Sequence, residues 1–379
     1  MEKVLLLDSN LASYPMYQYL IDANYEVFVA GANENDFLAK YSKNYLNFNY
    51  SKYRLLIKNI EKYNIKYIIP GCNDISYFCC AKVNEHLNFS KNIDSYKITE
   101  LLNNKNSFKK FALENKISVP KLTNNFYDFK SCIIKPVDSY SGKGNTIVCS
   151  TNYDEIKIAK KIAIENSKIK KFLVEEYVEG QLYSHSAFLS KGKIAIDFIV
   201  KEYCIANKFA VDTSYYCNDF NKNQIRQEIQ KIVKNLNLKE GLIHTQFIKN
   251  KNSIKILEVT RRCPGDLYNL LIQKSTGFNY AKAYVDPFLN KNFQNIKNKL
   301  KKNCIIRHTI TSTENLQFKS LKFKKNIDAT DLFILNLSGN FLNIAPKSRI
   351  GILFSKIKSN KNFNKILNLF LNRKIYKIE

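Results

Sequence analysis

A lysine closes the apolar run Ile133-Ile134-Lys135-Pro136 and opens the loop Asp138 to Gly144, DSYSGKG. Its ammonium supplies positive charge, and Gly142 and Gly144 let backbone N–H groups come close, which suits phosphate oxygens. The same residues also make an ordinary hairpin tip with an exposed lysine. A second segment, Leu173 to Gly180 (LVEEYVEG), is an apolar strand that turns acidic and ends in glycine. Such a strand can present backbone N–H and C=O groups to an adenine edge, with a carboxylate near the exocyclic amine or the ribose. It also reads as an edge strand with solvated glutamates. The third segment pairs Gln246 with Glu258-Val259-Thr260-Arg261-Arg262-Cys263-Pro264-Gly265-Asp266. Hairpin pairing brings the Gln246 and Glu258 oxygens together as hard ligands for a Mg²⁺ shared with phosphates. Arg262 beside them would stabilise developing negative charge, or form a plain Glu–Arg surface pair.

The rest of the composition narrows the setting. Sixty Lys and Arg against 33 Asp and Glu give a formal charge of +27 over 379 residues, but only seven of the sixty are arginine. The lysines are spread along the chain and accompanied by abundant Asn, Ile and Tyr. This reads as a solvated, compositional surface and not as a phosphate-reading block. Nucleic acid and membrane are therefore not expected partners. Nine cysteines, none in a CxxC or Cys/His metal spacing, read as reduced and mostly buried thiols. Cys263 draws attention only through its neighbours, and packing is its expected role. No apolar run reaches about 18 residues and the N-terminus lacks a signal-peptide layout, so a cytoplasmic location is expected.

These segments need elements to hold them. KVLLL (3–7), EVFVA (26–30) and KYIIP (66–70) alternate with helical patterns over 14–23 and 51–63, the rhythm of a parallel sheet buried on both faces. The first loop lacks GxGxxG, which argues against a tight nicotinamide site. One polar helix is expected over about 97–115, stopped by Pro120, followed by strand, loop and strand over 131–150. A helix (154–167), the strand 172–178, a hairpin turning at 191–193, a helix (223–238) and the strand pair 242–248 and 253–259 come next. Short strands at IIRHTI, LFILNL and IGILFS and a helix (360–373) close the chain. Repeats and low-complexity linkers are absent.

In this order the segments resemble the ATP-grasp superfamily, most closely its carboxylate–amine ligases with a carbamoyl-phosphate-synthetase-like ATP site. Asn104-Lys105-Asn106-Ser107-Phe108 before Val119-Pro120, and KPVDSYSGKG over 135–144, carry the likeness. The resemblance implies an N-terminal open parallel α/β domain (1–100), a linker helix and lid (101–180), a central antiparallel sheet with the catalytic residues (181–299) and a small C-terminal strand lobe (300–379). It implies ATP with Mg²⁺, or Mn²⁺ as the alternative. Nucleotide contacts map to Lys105, Lys135, Ser139, Ser141, Gly142, Lys143, Gly144, Glu175, Glu176, Val178 and Glu179. The metal maps to Gln246, Glu258 and Thr260, and catalysis to Arg262, Lys135 and Gly265.

Two positions depart from the family. Thr260 stands where Asn is usual, and Leu182 stands where many members carry a Glu for the ribose, leaving Glu179 or His185 as substitutes. The implied reaction phosphorylates a small-molecule carboxylate and passes the acylphosphate to an amine, with ADP and phosphate released. Ammonia or a thiol as acceptor, a regulator that binds ATP without turnover, and a basic nucleic-acid-binding protein on the same fold are the alternatives. A homodimer is common in the family. Lys201 to Asp219 and the loops Ser9–Tyr14 and Gly71–Ser76 would line the substrate side, with Lys201, Arg226 and Arg261 as candidate carboxylate partners. His244, two residues before Gln246, is either near that site or a satisfied core histidine.

Overall fold

The computed structural model describes residues 1–138, 142–251, 253–292, 300–324, 327–358 and 362–379. Strands β1 (Lys3–Leu7), β2 (Glu26–Gly31), β3 (Asn44–Asn47) and β4 (Tyr67–Pro70) form a parallel sheet in the order β3-β2-β1-β4. Val4 to Leu7, Val29, Ala30 and Ile69 are wholly buried, as continuous apolar runs in a sheet covered on both faces must be. Helices α1 (Tyr14–Asp22), α2 (Phe37–Tyr41), α3 (Tyr53–Tyr63) and α4 (Asp74–Leu87) accompany it. The sequence suggests only a turn at residues 71–74. In the structure Asn73 caps a full helix there, its side chain accepting from Ser76 N at 2.9 Å.

The single helix expected over 97–115 is two, α5 (Tyr96–Asn103) and α6 (Lys105–Glu114). Asn104 takes an extended ψ of 112° between them, and its side chain accepts from Asn106 N and Ser107 N at 3.1 and 3.0 Å. An Asn is worth more as a cap than inside a helix, where it competes with the backbone. The break makes Lys105 the first residue of α6 and sets Lys109 one turn further on the same face.

Strands β5 (Ser131–Pro136), β6 (Thr146–Cys149) and β7 (Phe172–Glu176) make a small antiparallel sheet in the order β6-β5-β7. Helix α7 (Tyr153–Glu165) seals it through Ile156, Ala159 and Ala163, packed on Cys132, Ile134, Val148 and Val174. The large sheet follows with β8 (Gln181–Ser190), β9 (Lys193–Tyr203), β10 (Thr213–Tyr216), β11 (Gly241–Lys249), β12 (Ile254–Thr260) and β13 (Ile305–Ile310). Its order is β12-β11-β8-β9-β10-β13, continued by Gly351–Lys356 and Ala329–Ile334, with every pairing antiparallel. The strands after residue 300 thus extend the central sheet.

Period-two alternation divides that sheet into two buried faces. One carries Phe188, Phe198, Val200, Leu242, Ile305, Ile352 and Phe354 into a core shared with the parallel sheet and with α9 (Tyr268–Thr276) and α10 (Tyr280–Val285). The other presents Ala187, Ile199, Ile243 and Phe247 to α8 (Asn223–Leu236). Further along it presents Ile306 and Leu353 to α11 (Phe363–Leu371). Among the described residues no helix is long and apolar enough to cross a membrane.

Candidate active site

The small sheet holds a buried ion triad. Lys135 closes β5 and is hydrogen-bonded to Glu175 of β7, whose other carboxylate oxygen lies 3.3 Å from the Lys109 ammonium. All three are buried, Lys109 and Glu175 to 1% exposure. Burial alone would push the Glu175 carboxyl up, but Lys135 and Lys109 outweigh it and hold it below its ordinary value. Burial, with Lys135 nearby, takes Lys109 down to about 8. Lys105, also lowered by burial and by Lys135, feels Glu258 of the large sheet as well as Glu175 of the small sheet and Asp138. It therefore stands electrostatically between the small sheet and the large one. Glu175, expected to face an adenine, instead spends its side chain on two lysines. Lys109 was missed, although its spacing of four from Lys105 could have shown it.

Glu176 accepts from Lys121 N at 3.2 Å, while Val178 (buried) and Glu179 (exposed) lie where the chain leaves the ladder. Ser139 and Ser141 fall outside the described residues. Gly142 and Gly144 have φ of +69° and +78°, and a Cβ on Gly142 would sit 2.2 Å from the Phe209 Cβ. The tip thus meets the 201–219 segment as closely as only glycine permits. Lys143 beside it is exposed.

On the large sheet the register lines up a polar row on the face that looks toward α9 and α10. Glu258 lies opposite Gln246, Gln246 opposite Ser184, and Thr260 opposite His244. Glu202 of β9 joins the row: it accepts from Ser184 Oγ, and from Gln246 Nε2 at 2.9 Å. Sequence reasoning passed over Glu202, yet it falls in phase with Phe198 and Val200, where a charge is conspicuous. Burial first, then Glu258, push its pKa up to about 7.

Glu202, Glu258 and the Gln246 carbonyl are hard oxygen donors of the kind Mg²⁺ takes, so this set fits the expected metal. Among the described residues no group of three or more His, Cys, Asp or Glu could hold a metal by itself. The Thr260 hydroxyl is engaged elsewhere, accepting from Arg262 N at 3.3 Å and reaching Asp74 at 3.5 Å. Between about pH 4.5 and 7 the folded chain keeps a proton on Glu202 that the unfolded chain has released. The stability this contributes is present at low pH and lost as pH rises through that window. With metal chelated, the wild-type Tm should fall more than that of Glu202→Gln across it, by an amount worth about 3 kcal/mol. Parallel pH profiles would remove Glu202 from this account.

Arg262 donates from Nε to Asp74 Oδ1 at 2.8 Å, tying the loop after β12 to the first turn of α4. Burial works against its charge, but Asp74 and then Glu258 hold it firmly protonated. Gly265 follows in that loop, with open space where a Cβ would stand. Cys263 is buried with its thiol against Pro264 O and Asn269, a packing role as expected.

The three candidate carboxylate partners lie elsewhere. Arg261 is buried against Asp94 at 2.6 Å and two backbone carbonyls, and Arg226 holds Asp197 with two bonds of 2.8 and 2.7 Å. Lys201 alternates to the opposite face from Glu202, over the Tyr203 ring. His185 is bonded to Asp197 on that far face, which removes it as a ribose ligand. His244 is a satisfied core residue, 2.9 Å from Ser186 Oγ, and burial keeps it neutral.

The comparisons with known proteins agree with this geometry. Residues 129–268 match the family model described as the ATP-grasp domain, covering the β6-β5-β7 sheet, the polar row and the Arg262 loop. Across its whole length the chain shares the fold of the L-amino acid ligase from Bacillus licheniformis (TM-score 0.82, 13% identity, covering 100% of this chain and 98% of that one). It is similarly close to phosphoribosylglycinamide synthetase from Anaerococcus prevotii (0.76, 15%, 100% and 99%). It also matches the ADP complex of N5-carboxyaminoimidazole synthetase from Staphylococcus aureus (0.74, 11%, 98% and 97%). A search of curated proteins gives no match.

Proposed function

We propose that the chain is an ATP-dependent ligase that joins a carboxylate to an amine through an acylphosphate, releasing ADP and phosphate. The carrying observation is Lys105, whose charge is felt both by Glu175 of the lysine triad and by Glu258 of the oxygen row. Phosphates lying between these two groups would meet ammoniums on one side and a metal site on the other. Lys105 and Lys135 would neutralise the phosphoryl oxygens, while Glu176, Val178 and Glu179 would face the base. Gln246 and Glu258 would hold Mg²⁺, with Glu202 steadying Gln246; the ion, when bound, supplies charge neutralisation and polarises the phosphoryl oxygens. Arg262 would steady the acylphosphate and the oxyanion formed when the amine attacks, with backbone donors at Pro264-Gly265. The loop at Gly142 and Gly144, set against Phe209, would keep water from the acylphosphate.

Closure explains the need for Gly142. Gly142→Ala should lower turnover by about tenfold or more with a modest change in Tm, since it displaces the loop and not the core. Unchanged turnover would mean that this contact plays no part in closure. The reading itself is tested by ADP release from Mg-ATP against a panel of amino acids and uronic acids, with and without an amine pool. Release triggered by one carboxylate and enhanced by one amine is expected. An ATP-dependent Tm shift without release under any mixture would favour a regulator without turnover.

A further inference from the structure

The two edges of the large sheet are treated differently. At one edge β12 is covered by its own chain: Ile256 N donates to Ser118 O at 2.8 Å, and Ser118 Oγ donates to Ile254 O at 2.6 Å. That edge also carries the charges of Lys255 and Glu258. At the other edge the strand Ala329–Ile334 pairs with Gly351–Lys356 on its inner side, and among the described residues no strand lies beyond it. Its outer N–H and C=O groups form a template for one more strand. Leu332 lies opposite Leu353, on the face that packs under α11, but where Leu353 is buried, Leu332 is 36% and Ile334 49% exposed. Leu337, Phe341 and Ile344, in the turns that follow, are exposed as well.

Edge strands are ordinarily kept apart by charge, lysine above all. The chain as a whole has sixty cations in 379 residues, yet the twenty residues 327–346 (IDATDLFILNLSGNFLNIAP) contain none. Asp331, the one charge within the strand, points to the other face and is paired with Lys274 at 2.5 Å. A register shift between Ala329 and Asp331 disturbs the start of the strand and leaves Asp331 to Ile334 regular.

We propose that this edge binds a second copy of the chain, antiparallel about a two-fold axis, joining the two large sheets into one. The charge balance selects the occupant. Copies that each carry a formal +27 repel one another, and they approach at least cost where the surface has apolar side chains and no cations. An axis through Phe333 would set Leu332 of one copy opposite Ile334 of the other, two apolar cross-strand pairs on one face. Because β12 is already covered, growth would stop at two copies. Gln246 lies six strand spacings away, about 29 Å, so each copy keeps its own site.

The test is sedimentation of the full chain over a range of concentrations and salt, and it makes no use of turnover, so it stands apart from the ligase reading. Wild type should sediment at twice the chain mass, and the dimer should tighten as salt screens the repulsion between copies. Leu332→Lys combined with Ile334→Lys, which sets like charges opposite each other, should raise the dimer Kd by about 100-fold with the Mg-ATP shift in Tm retained. Hydrogen exchange on wild type serves if that variant fails to fold: amides within 331–334 should gain protection as concentration rises, while those of 254–260 stay unchanged. A wild type that is monomeric throughout would overturn the proposal and leave the edge to a strand from a different protein. A dimer that weakens with salt, survives the double substitution or forms without protecting 331–334 would place the interface elsewhere and overturn it too.

Discussion

Glu258→Gln should lower ADP release by about 10³-fold while leaving the fold intact. The side chain is exposed at the end of β12, opposite Gln246, so an amide of the same shape disturbs no packing. What it removes is charge. Glu258 bears on Lys105, Arg262 and Glu202 at once, which makes it the electrostatic centre of the space between the two sheets. If Gln246 and Glu258 hold Mg²⁺ as proposed, the metal would lose its carboxylate ligand in this variant, and developing phosphoryl charge would be left poorly stabilised. The Tm without ligand should stay within about 1 °C of wild type, since surface substitutions cost little. The Tm gain on adding Mg-ATP should shrink. Full turnover in this variant would dismiss the metal assignment, whatever the fold.

Much of this arrangement is legible in the chain, and the reasons differ by residue. The parallel sheet shows itself because strands buried on both faces are continuous apolar runs, as in KVLLL and KYIIP. Gln246 and Glu258 show themselves because a short turn between two apolar strands fixes which oxygens end up abreast. Lys105 is found by motif, but its position at a helix start depends on Asn104, and a single Asn inside a helical pattern reads as a weak helix residue until its cap bonds are seen.

What escapes depends on partners far along the sequence. Asp74 and Glu202 lie 188 positions before Arg262 and 44 before Gln246, and only the packing of α4 and the order of the large sheet bring them there. Arg226 and Arg261 fail as substrate ligands for the same reason, since Asp197 and Asp94 reach them first. Alternation still offers a signal: a carboxylate in phase with Phe198 and Val200, or an arginine in phase with Ile305, points into a core. Such a residue needs either a partner or a ligand.

The triad offers the second large effect, on stability, and couples it to the nucleotide. Glu175→Gln leaves the ammoniums of Lys109 and Lys135 buried without their counter-charge, a change that costs about 3–5 kcal/mol where the small sheet meets α6. Adding Lys109→Met should return much of that loss, because the second substitution removes one of the stranded charges. Lys109 also carries a pH signature. Its pKa is lowered to about 8 by burial, from an ordinary 10.5, so the unfolded chain binds more protons between those values and stability rises with pH across the window. That rise should be missing in Lys109→Met, and the difference between the two profiles isolates it from the cysteines and tyrosines that titrate nearby. If the lysines face nucleotide phosphates, Mg-ATP resupplies the negative charge that Glu175→Gln removed. Saturating Mg-ATP should then raise the Tm of Glu175→Gln by more than it raises that of wild type, narrowing the gap between them. A gap that widens instead would mean that the triad holds the lid together without meeting the phosphates, and the nucleotide role of Lys135 would have to be abandoned.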